Sequence, residues 1–196
     1  MTKIFERVDL ENPAISKKTK THHLERYVFA SNLLPYAACL DLGCGTGYGT
    51  EILRKMGEAD GVDSSIETVR HAVKNYPRCK FYCNDIHNFV NSVGSYTWNL
   101  VVMFEVIEHL SYERGVSVIR SIPGILKPGG KFVMSTPRDI NDKYNTFHRS
   151  EWSYGTIKNV CGSVFDKVTI YGQDWDTAKI SQDDVRNNDF YVAVCE

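Results

Sequence analysis

No run of about 18 apolar residues occurs in the 196-residue chain, which excludes a membrane-spanning helix of ordinary length. Charge of one sign is not in surplus either. The 23 Lys and Arg stand against 24 Asp and Glu, a net charge of −1, so nothing broad attracts a phosphate backbone or an anionic membrane. Nucleic-acid and membrane partners are therefore both disfavoured. The six cysteines, Cys39, Cys44, Cys79, Cys83, Cys161 and Cys195, form no C-x-x-C pair and no zinc-type spacing with histidine. They read as buried, reduced thiols. Charges fill the first nine residues where a signal peptide needs its apolar stretch, and the expected location is cytoplasmic. No repeat, linker or low-complexity segment breaks the chain. With 42% hydrophobic and 24% charged residues, its length and composition describe one globular domain over residues 1–196.

What is present alternates. Leu24, Tyr27, Val28, Leu33 and Leu34 are spaced for an amphipathic helix that starts near Thr21 and stops at Pro35. Residues 37–42 are a short apolar run closed by glycines, as expected of a buried parallel strand, and residues 50–56 resume helical spacing. Further strands are expected over 59–62, 79–83, 99–104 and 131–135, and helices over 65–76 and about 112–126. A turn at Pro128-Gly129-Gly130 should lead into the strand from Lys131. A polar loop over 138–149, a short helix near 153–160 and strands near 164–171 and 190–195 complete the chain. This alternation implies right-handed crossovers, hence a single doubly wound α/β domain with a mostly parallel sheet and an antiparallel last strand.

The segment Asp41-Leu42-Gly43-Cys44-Gly45-Thr46-Gly47-Tyr48-Gly49 joins a strand to a helix, where glycines allow a tight turn and close approach of a ligand. Asp63 ends the next strand 22 positions after Asp41, a placement suited to ribose hydroxyls. Asn84-Asp85-Ile86 closes the third strand at the same carboxyl edge. A dinucleotide loop has the pattern G-x-G-x-x-G, with its diphosphate on a helix N-terminus. The G-x-G-x-G here follows an aspartate, which would repel a diphosphate and suits a sulfonium and an amino group. In Glu105-Val106-Ile107-Glu108-His109, two carboxylates and an imidazole near a strand end form a conceivable divalent-metal set, with His148 as a fourth member. The reading adopted is metal-free, with His109 and His148 as catalytic candidates and His109 suited to proton transfer near neutral pH. Trp98, Trp152 and Trp175 read as packing residues.

Through the Asp41–Gly47 loop, Gly61-Val62-Asp63, Asn84-Asp85-Ile86, Phe104–Leu110 and Leu126-Lys127-Pro128-Gly129-Gly130, the chain resembles the class I S-adenosylmethionine-dependent methyltransferases over roughly residues 21–171. Within them it looks most like the small-molecule and sugar branch called type 11 or type 23. Shorter likenesses lie at residues 23–30, at Ser135-Thr136-Pro137, at His148 with Glu151-Trp152-Ser153, and at Tyr171-Gly172-Gln173. The resemblance implies S-adenosyl-L-methionine as cofactor and a set of roles. Gly43, Gly45 and Gly47 would shape the loop around its methionine part, with Asp41 near the ammonium or structuring that loop. Asp63 would hold the ribose, Ser64 flank the adenine, Asp85 approach its exocyclic amine and Ile86 pack on the ring. Phe104 and Glu105 would border the methionine end, and Arg26 or Tyr27 would close over the cofactor from an N-terminal lid region of about residues 1–35. Residues 88–98 depart from the family pattern, lacking its acidic, proline-rich lead-in. The implied function is methyl transfer to oxygen or nitrogen of a small molecule or sugar-containing metabolite. Two alternatives stand beside it. The Glu-x-x-Glu-His set with His148 also resembles metal-dependent small-RNA 2′-O-methyltransferases, and the fold alone allows a non-catalytic S-adenosylmethionine-binding protein.

Overall fold

In the computed structural model, residues 8–138 and 147–196 are described. The chain runs α1 (Lys17–Ser31), β1 (Cys39–Leu42), α2 (Tyr48–Arg54), β2 (Ala59–Asp63), α3 (Ile66–Asn75), β3 (Lys80–Cys83), α4 (Ile86–Ser92) and β4 (Trp98–Phe104). It continues through a 3-10 turn (Ile107–His109), α5 (Tyr112–Ile125), β5 (Leu126–Pro137), α6 (Tyr154–Gly162), β6 (Val168–Gln173), β7 (Ile180–Ser181), a second 3-10 turn (Val185–Asn187) and β8 (Phe190–Cys195). The described strands form one sheet in the order β3-β2-β1-β4-β5-β8-β6-β7. Strands β1 to β5 are mutually parallel, while β8 is antiparallel to both β5 and β6. The strand order reverses between β1 and β4, so the carboxyl ends of these two strands open a crevice where open α/β sheets hold their ligands.

Local chemistry explains the elements. Ser16, Ser65, Asp85, Ser111 and Ser153 each accept the backbone N–H three residues on and start α1, α3, α4, α5 and α6. Strand β4 is buried along its length apart from the half-buried Asn99, because helices cover both faces of the sheet. One core layer joins Leu42, Met103, Ile119, Ile122 and Ile157 under α4, α5 and α6; the other joins Tyr27, Ala30, Leu53, Val102 and Val192 under α1 and α2.

Several expectations are corrected. Helix α1 starts at Lys17 and ends at Ser31; Leu24 and Tyr27 of the expected apolar face pack on the core and are joined by the buried His22, Arg26 and Ala30, whereas Val28 is 43% exposed. Helix α4 and strand β7 were not anticipated. Pro128-Gly129-Gly130 lies inside β5 instead of preceding it, with a register shift opposite Trp98 and Leu100 that absorbs the irregularity. All six cysteines are free, and Cys83 is exposed where a buried thiol was expected. Trp98 and Trp152 pack in the core, but Trp175 remains 38% exposed. Most of the polar loop expected over residues 138–149 falls outside the described residues. Among the described residues no helix is long and apolar enough to cross a membrane.

Candidate active site

The loop after β1 is set by backbone geometry. Gly43, Gly45 and Gly47 have φ values of +79°, +52° and +90°, the left-handed region that side chains penalise. A Cβ at Gly45 would meet nothing within 4 Å, so this part of the loop faces open space that a ligand can enter. Gly49 is tight for the opposite reason: a Cβ there would run into the Tyr27 ring. Asp63 ties the loop to the end of β2, accepting the Gly45 N–H at 3.1 Å and the Ser65 N–H at 2.9 Å. A carboxylate can accept about four hydrogen bonds, and these two orient it toward the loop. Ser64 follows on the exposed rim.

Asp41 is fully buried and accepts hydroxyl hydrogen bonds from Thr50 at 2.7 Å and from Tyr27 at 3.2 and 3.3 Å. The carboxyl thereby links α1, through Tyr27, to the first turn of α2, through Thr50, just beyond the glycine loop. Burial pushes its pKa up to about 7 against the opposing pull of those two hydroxyls. Asp85 caps α4 through Asn88 N–H at 3.1 Å and pairs with Arg114 at 2.7 Å, both through Oδ1. Ile86 is buried in the core layer beneath α4 and α5.

Strand β4 delivers the other half of the site. Phe104 is buried edge-on against the Tyr27 ring at 5.0 Å. Glu105 has φ +53°, a strained value for a non-glycine residue, held by its N–H to Ser135 C=O at 3.2 Å and by the Ser135 hydroxyl donating to Oε1 at 2.7 Å. Its partner is Arg26, which is fully buried. Arg26 Nε donates to Gln173 Oε1 at 2.7 Å, its guanidinium sits 4.4 Å from the Phe190 ring, and Nη1 lies 3.2 Å from Glu105 Oε1. That last contact is an ion pair without hydrogen-bond alignment, and Nη2 has no hydrogen-bond partner among the described residues. A buried guanidinium left in this state calls for an anion.

Beyond Glu105, Glu108, His109 and His148 converge, each offering one ligand atom with all three atoms within 4.8 Å of one another. Glu108 is buried, and burial followed by the Glu105 charge pushes its carboxyl well above the usual carboxylate range. The Thr136 hydroxyl donates to its Oε2 at 3.4 Å. His109 Nδ1 lies 3.3 Å from the Phe147 carbonyl, and its ring is 5.1 Å from that of His148. The sequence-predicted residues thus fall into a β1–β3 group and a β4 group on one edge. Arg26 was anticipated only as a lid residue. Gln173, Ser135, Thr136 and Phe190 were not anticipated as members of the site. A separate cleft of about 360 Å³, lined by residues including Asp60, Phe89 and Trp98, lies at the opposite, amino edge and is remote from this constellation.

Residues 39–130 match the family model described as a methyltransferase domain. A probable S-adenosylmethionine-dependent methyltransferase of Mycolicibacterium smegmatis is 31% identical over 119 residues, covering 57% of this chain and 45% of that protein. A ubiquinone biosynthesis O-methyltransferase of Coxiella burnetii is 29% identical over 149 residues, 71% of this chain and 60% of the other. The chain therefore spans about half the length of the curated relatives it matches. A solved S-adenosylmethionine-dependent methyltransferase of Archaeoglobus fulgidus has the same fold, with a TM-score of 0.73 at 17% identity over 92% of this chain and 94% of its own. These likenesses agree with the doubly wound α/β fold and carboxyl-edge crevice described above. Over residues 39–130 the chain is similar to the methyltransferase domain model, and over most of its length it shares the fold of that solved methyltransferase.

Proposed function

We propose that the chain transfers a methyl group from S-adenosyl-L-methionine to oxygen or nitrogen of a small molecule or sugar-containing metabolite. The observation that carries this reading is the buried Arg26, whose Nη2 has no hydrogen-bond partner among the described residues, beside Glu105 at the end of β4. A donor with an α-carboxylate supplies the missing anion, and the open face at Gly45 and the carboxylate of Asp63 suit its main chain and ribose. When bound, the donor supplies an electrophilic methyl carbon, which an acceptor lone pair takes as the carbon–sulfur bond breaks and its electrons return to sulfur. The protein's part is alignment and proton removal. Arg26 and Glu105 fix the methionine end, and α1, fastened through Tyr27 to Asp41, acts as the lid over it. In the tautomer that donates from Nδ1 to Phe147, His109 Nε2 is the basic atom that accepts the proton of a hydroxyl acceptor. The relatives named ubiquinone biosynthesis O-methyltransferases support a small-molecule acceptor, and a cytoplasmic location accords with the reduced thiols.

One observation favours a second reading. The convergence of Glu108, His109 and His148 is a plausible divalent-ion set, which would place the acceptor hydroxyl on a metal as in metal-dependent 2′-O-methyl transfer to RNA. The balanced charge opposes that partner. Calorimetry with S-adenosylmethionine, S-adenosylhomocysteine and NAD, followed by methyl-labelled donor and chelator, decides between them. We expect both sulfur nucleosides to bind, NAD not to, and turnover to survive chelation. His109→Ala should lower turnover by about 10²–10⁴-fold with little change in donor affinity. Tight NAD binding alone would overturn the cofactor, turnover abolished by chelator and restored by a divalent ion would install the metal reading, and donor binding without conversion would leave a non-catalytic binder.

A further inference from the structure

At and beyond the end of β5 lies a group of side chains of which only Phe190 belongs to the site above. A cleft of about 330 Å³ is lined by Pro137, Arg138, Trp175, Asp189 and Phe190, a volume within the range of small-molecule sites. Its walls are fixed by main-chain bonds. Arg138 N–H donates to Asp189 C=O at 2.8 Å, Asp189 N–H to Gln173 C=O at 3.2 Å, and Trp175 N–H to Asp189 Oδ2 at 2.8 Å. Phe190 is shared with the donor crevice, since its ring carries the Arg26 guanidinium that pairs with Glu105. The cleft therefore adjoins the methionine end and not the nucleoside end. Trp175 is stacked 4.6 Å from His22, tilts against Phe190 and carries Lys18 Nζ 5.0 Å from its ring centroid, yet stays 38% exposed.

We propose that this cleft is the acceptor subsite and that it takes a neutral, polyhydroxylated ring, a sugar; the proposal rests on the methyl-transfer reading above. The balance of charge favours a neutral ligand, with Lys18 beside Trp175 already paired to Asp176 at 2.7 Å. Arg138 uses Nη1 on the Arg186 carbonyl at 3.0 Å, and its Nε and Nη2 have no acceptor among the described residues. Asp189 Oδ1 likewise has no donor among them. An anionic acceptor would face Asp189, and a cationic one would face Arg138. A purely apolar ring would strip water from both ions and return no hydrogen bonds, which is costly. Hydroxyl groups are both donors and acceptors and satisfy the two together. The C–H face of such a ring can lie on Trp175 and Phe190, whose rings stand 6.0 Å apart and tilted by 38°.

Saturation-transfer NMR on the whole protein with S-adenosylhomocysteine present tests this, using methyl hexosides as probes and catechol and benzoate at equal concentration as contrasts. Transfer to the hexoside C–H protons is expected. It should weaken about ten-fold in Trp175→Ala and in Arg138→Ala, while calorimetric affinity for S-adenosylhomocysteine stays within about two-fold. Asp189→Asn retains an oxygen for the Trp175 N–H and guards against misfolding of the larger truncations; it too should weaken hexoside binding. Preference for catechol or benzoate, hexoside transfer untouched by all three variants, or no probe binding to a parent that holds S-adenosylhomocysteine would each overturn the sugar subsite alone. A parent that takes hexoside in the cleft but binds no sulfur nucleoside would overturn the acceptor role together with the methyl-transfer reading.

Discussion

On the β1–β3 side of the carboxyl edge, each candidate ligand lies within a few residues of a strand end, and its partners are mostly backbone groups. Gly45 and Ser65 fix Asp63, and Asn88 fixes one oxygen of Asp85. On the β4–β8 side the partners come from remote segments. Arg26 of α1 meets Glu105, Gln173 of β6 and Phe190 of β8, and Glu108 meets His148 from beyond β5. The first region can be altered one side chain at a time, because its shape is carried by main chain. The second is a coupled set of buried charges, where removing one member strands the others.

The sharpest test of that contrast is Arg26→Ala. It leaves Glu105 largely buried beside a raised Glu108, and loss of one member of a buried pair costs about 3–5 kcal/mol. Denaturant unfolding should show a loss of that order, and calorimetry a collapse of donor affinity. Arg26→Lys keeps the charge and should recover part of the stability but less of the affinity, because it lacks the planar fork. A parent-like midpoint for Arg26→Ala would mean that the β4 group is no more coupled than the glycine loop.

Asp63→Ala probes the other region. The backbone around it is held by β2 and by the glycine conformations, so the fold should persist while donor affinity falls by about ten- to a hundred-fold, the worth of one charged hydrogen bond. If affinity holds while the protein melts like its parent, the ribose is bound elsewhere.

This contrast also explains what could be read from the chain. The glycine loop, Asp63 and Asp85 are local in sequence, so spacing and turn chemistry reveal them without knowledge of the fold. The mostly parallel doubly wound sheet follows from the alternation of strands and helices, and the runs of β4 and β8 mark them as buried strands. The Arg26 site depends on β8 entering between β5 and β6, a long-range fact with no local signature. A trace was present nonetheless: His22, Arg26 and Ala30 recur at intervals of four, a helical face whose polar members look solvated to any apolar count. Residues 86–92 were missed as a helix because the segment is short, and Asp85 is its cap.

Asp41 joins the two regions, and pH tests how. Its folded pKa of about 7 lies above the ordinary aspartate value of 3.8, so the folded state binds a proton that the unfolded chain releases first. Its contribution to stability is complete below about pH 4 and is lost as pH rises through about 7. Asp41→Asn keeps an acceptor for Tyr27 and Thr50 and removes the titration, so its stability should fall less than the parent's across that window. The raised Glu108 titrates in both proteins and cancels in the comparison. Parallel stability profiles for parent and variant would show that Asp41 is not held in a desolvated pocket.

The smallest effect concerns Asp85, where capping and ligand contact compete for one carboxylate. Both of its protein bonds use Oδ1, from Asn88 N–H and from Arg114. Oδ2 is then the oxygen that would meet the exocyclic amine of adenine. Asparagine caps helices about as well as aspartate, and a half-exposed ion pair contributes at most about 1 kcal/mol, so Asp85→Asn should shift stability little. Half of all amide orientations would present a second donor to the adenine amine in place of an acceptor. Donor affinity should therefore fall about three- to ten-fold, less than for Asp63→Ala, because a neutral acceptor replaces a charged one without leaving the site empty. Asp85→Ala removes the cap as well and should add about 1 kcal/mol of destabilisation to the same loss of affinity. Calorimetry on both variants separates the roles. Unchanged affinity in Asp85→Asn with a drop in stability confined to Asp85→Ala would reduce this carboxylate to a helix cap and Arg114 partner, and the nucleoside end would then rest on Asp63 and the glycine loop.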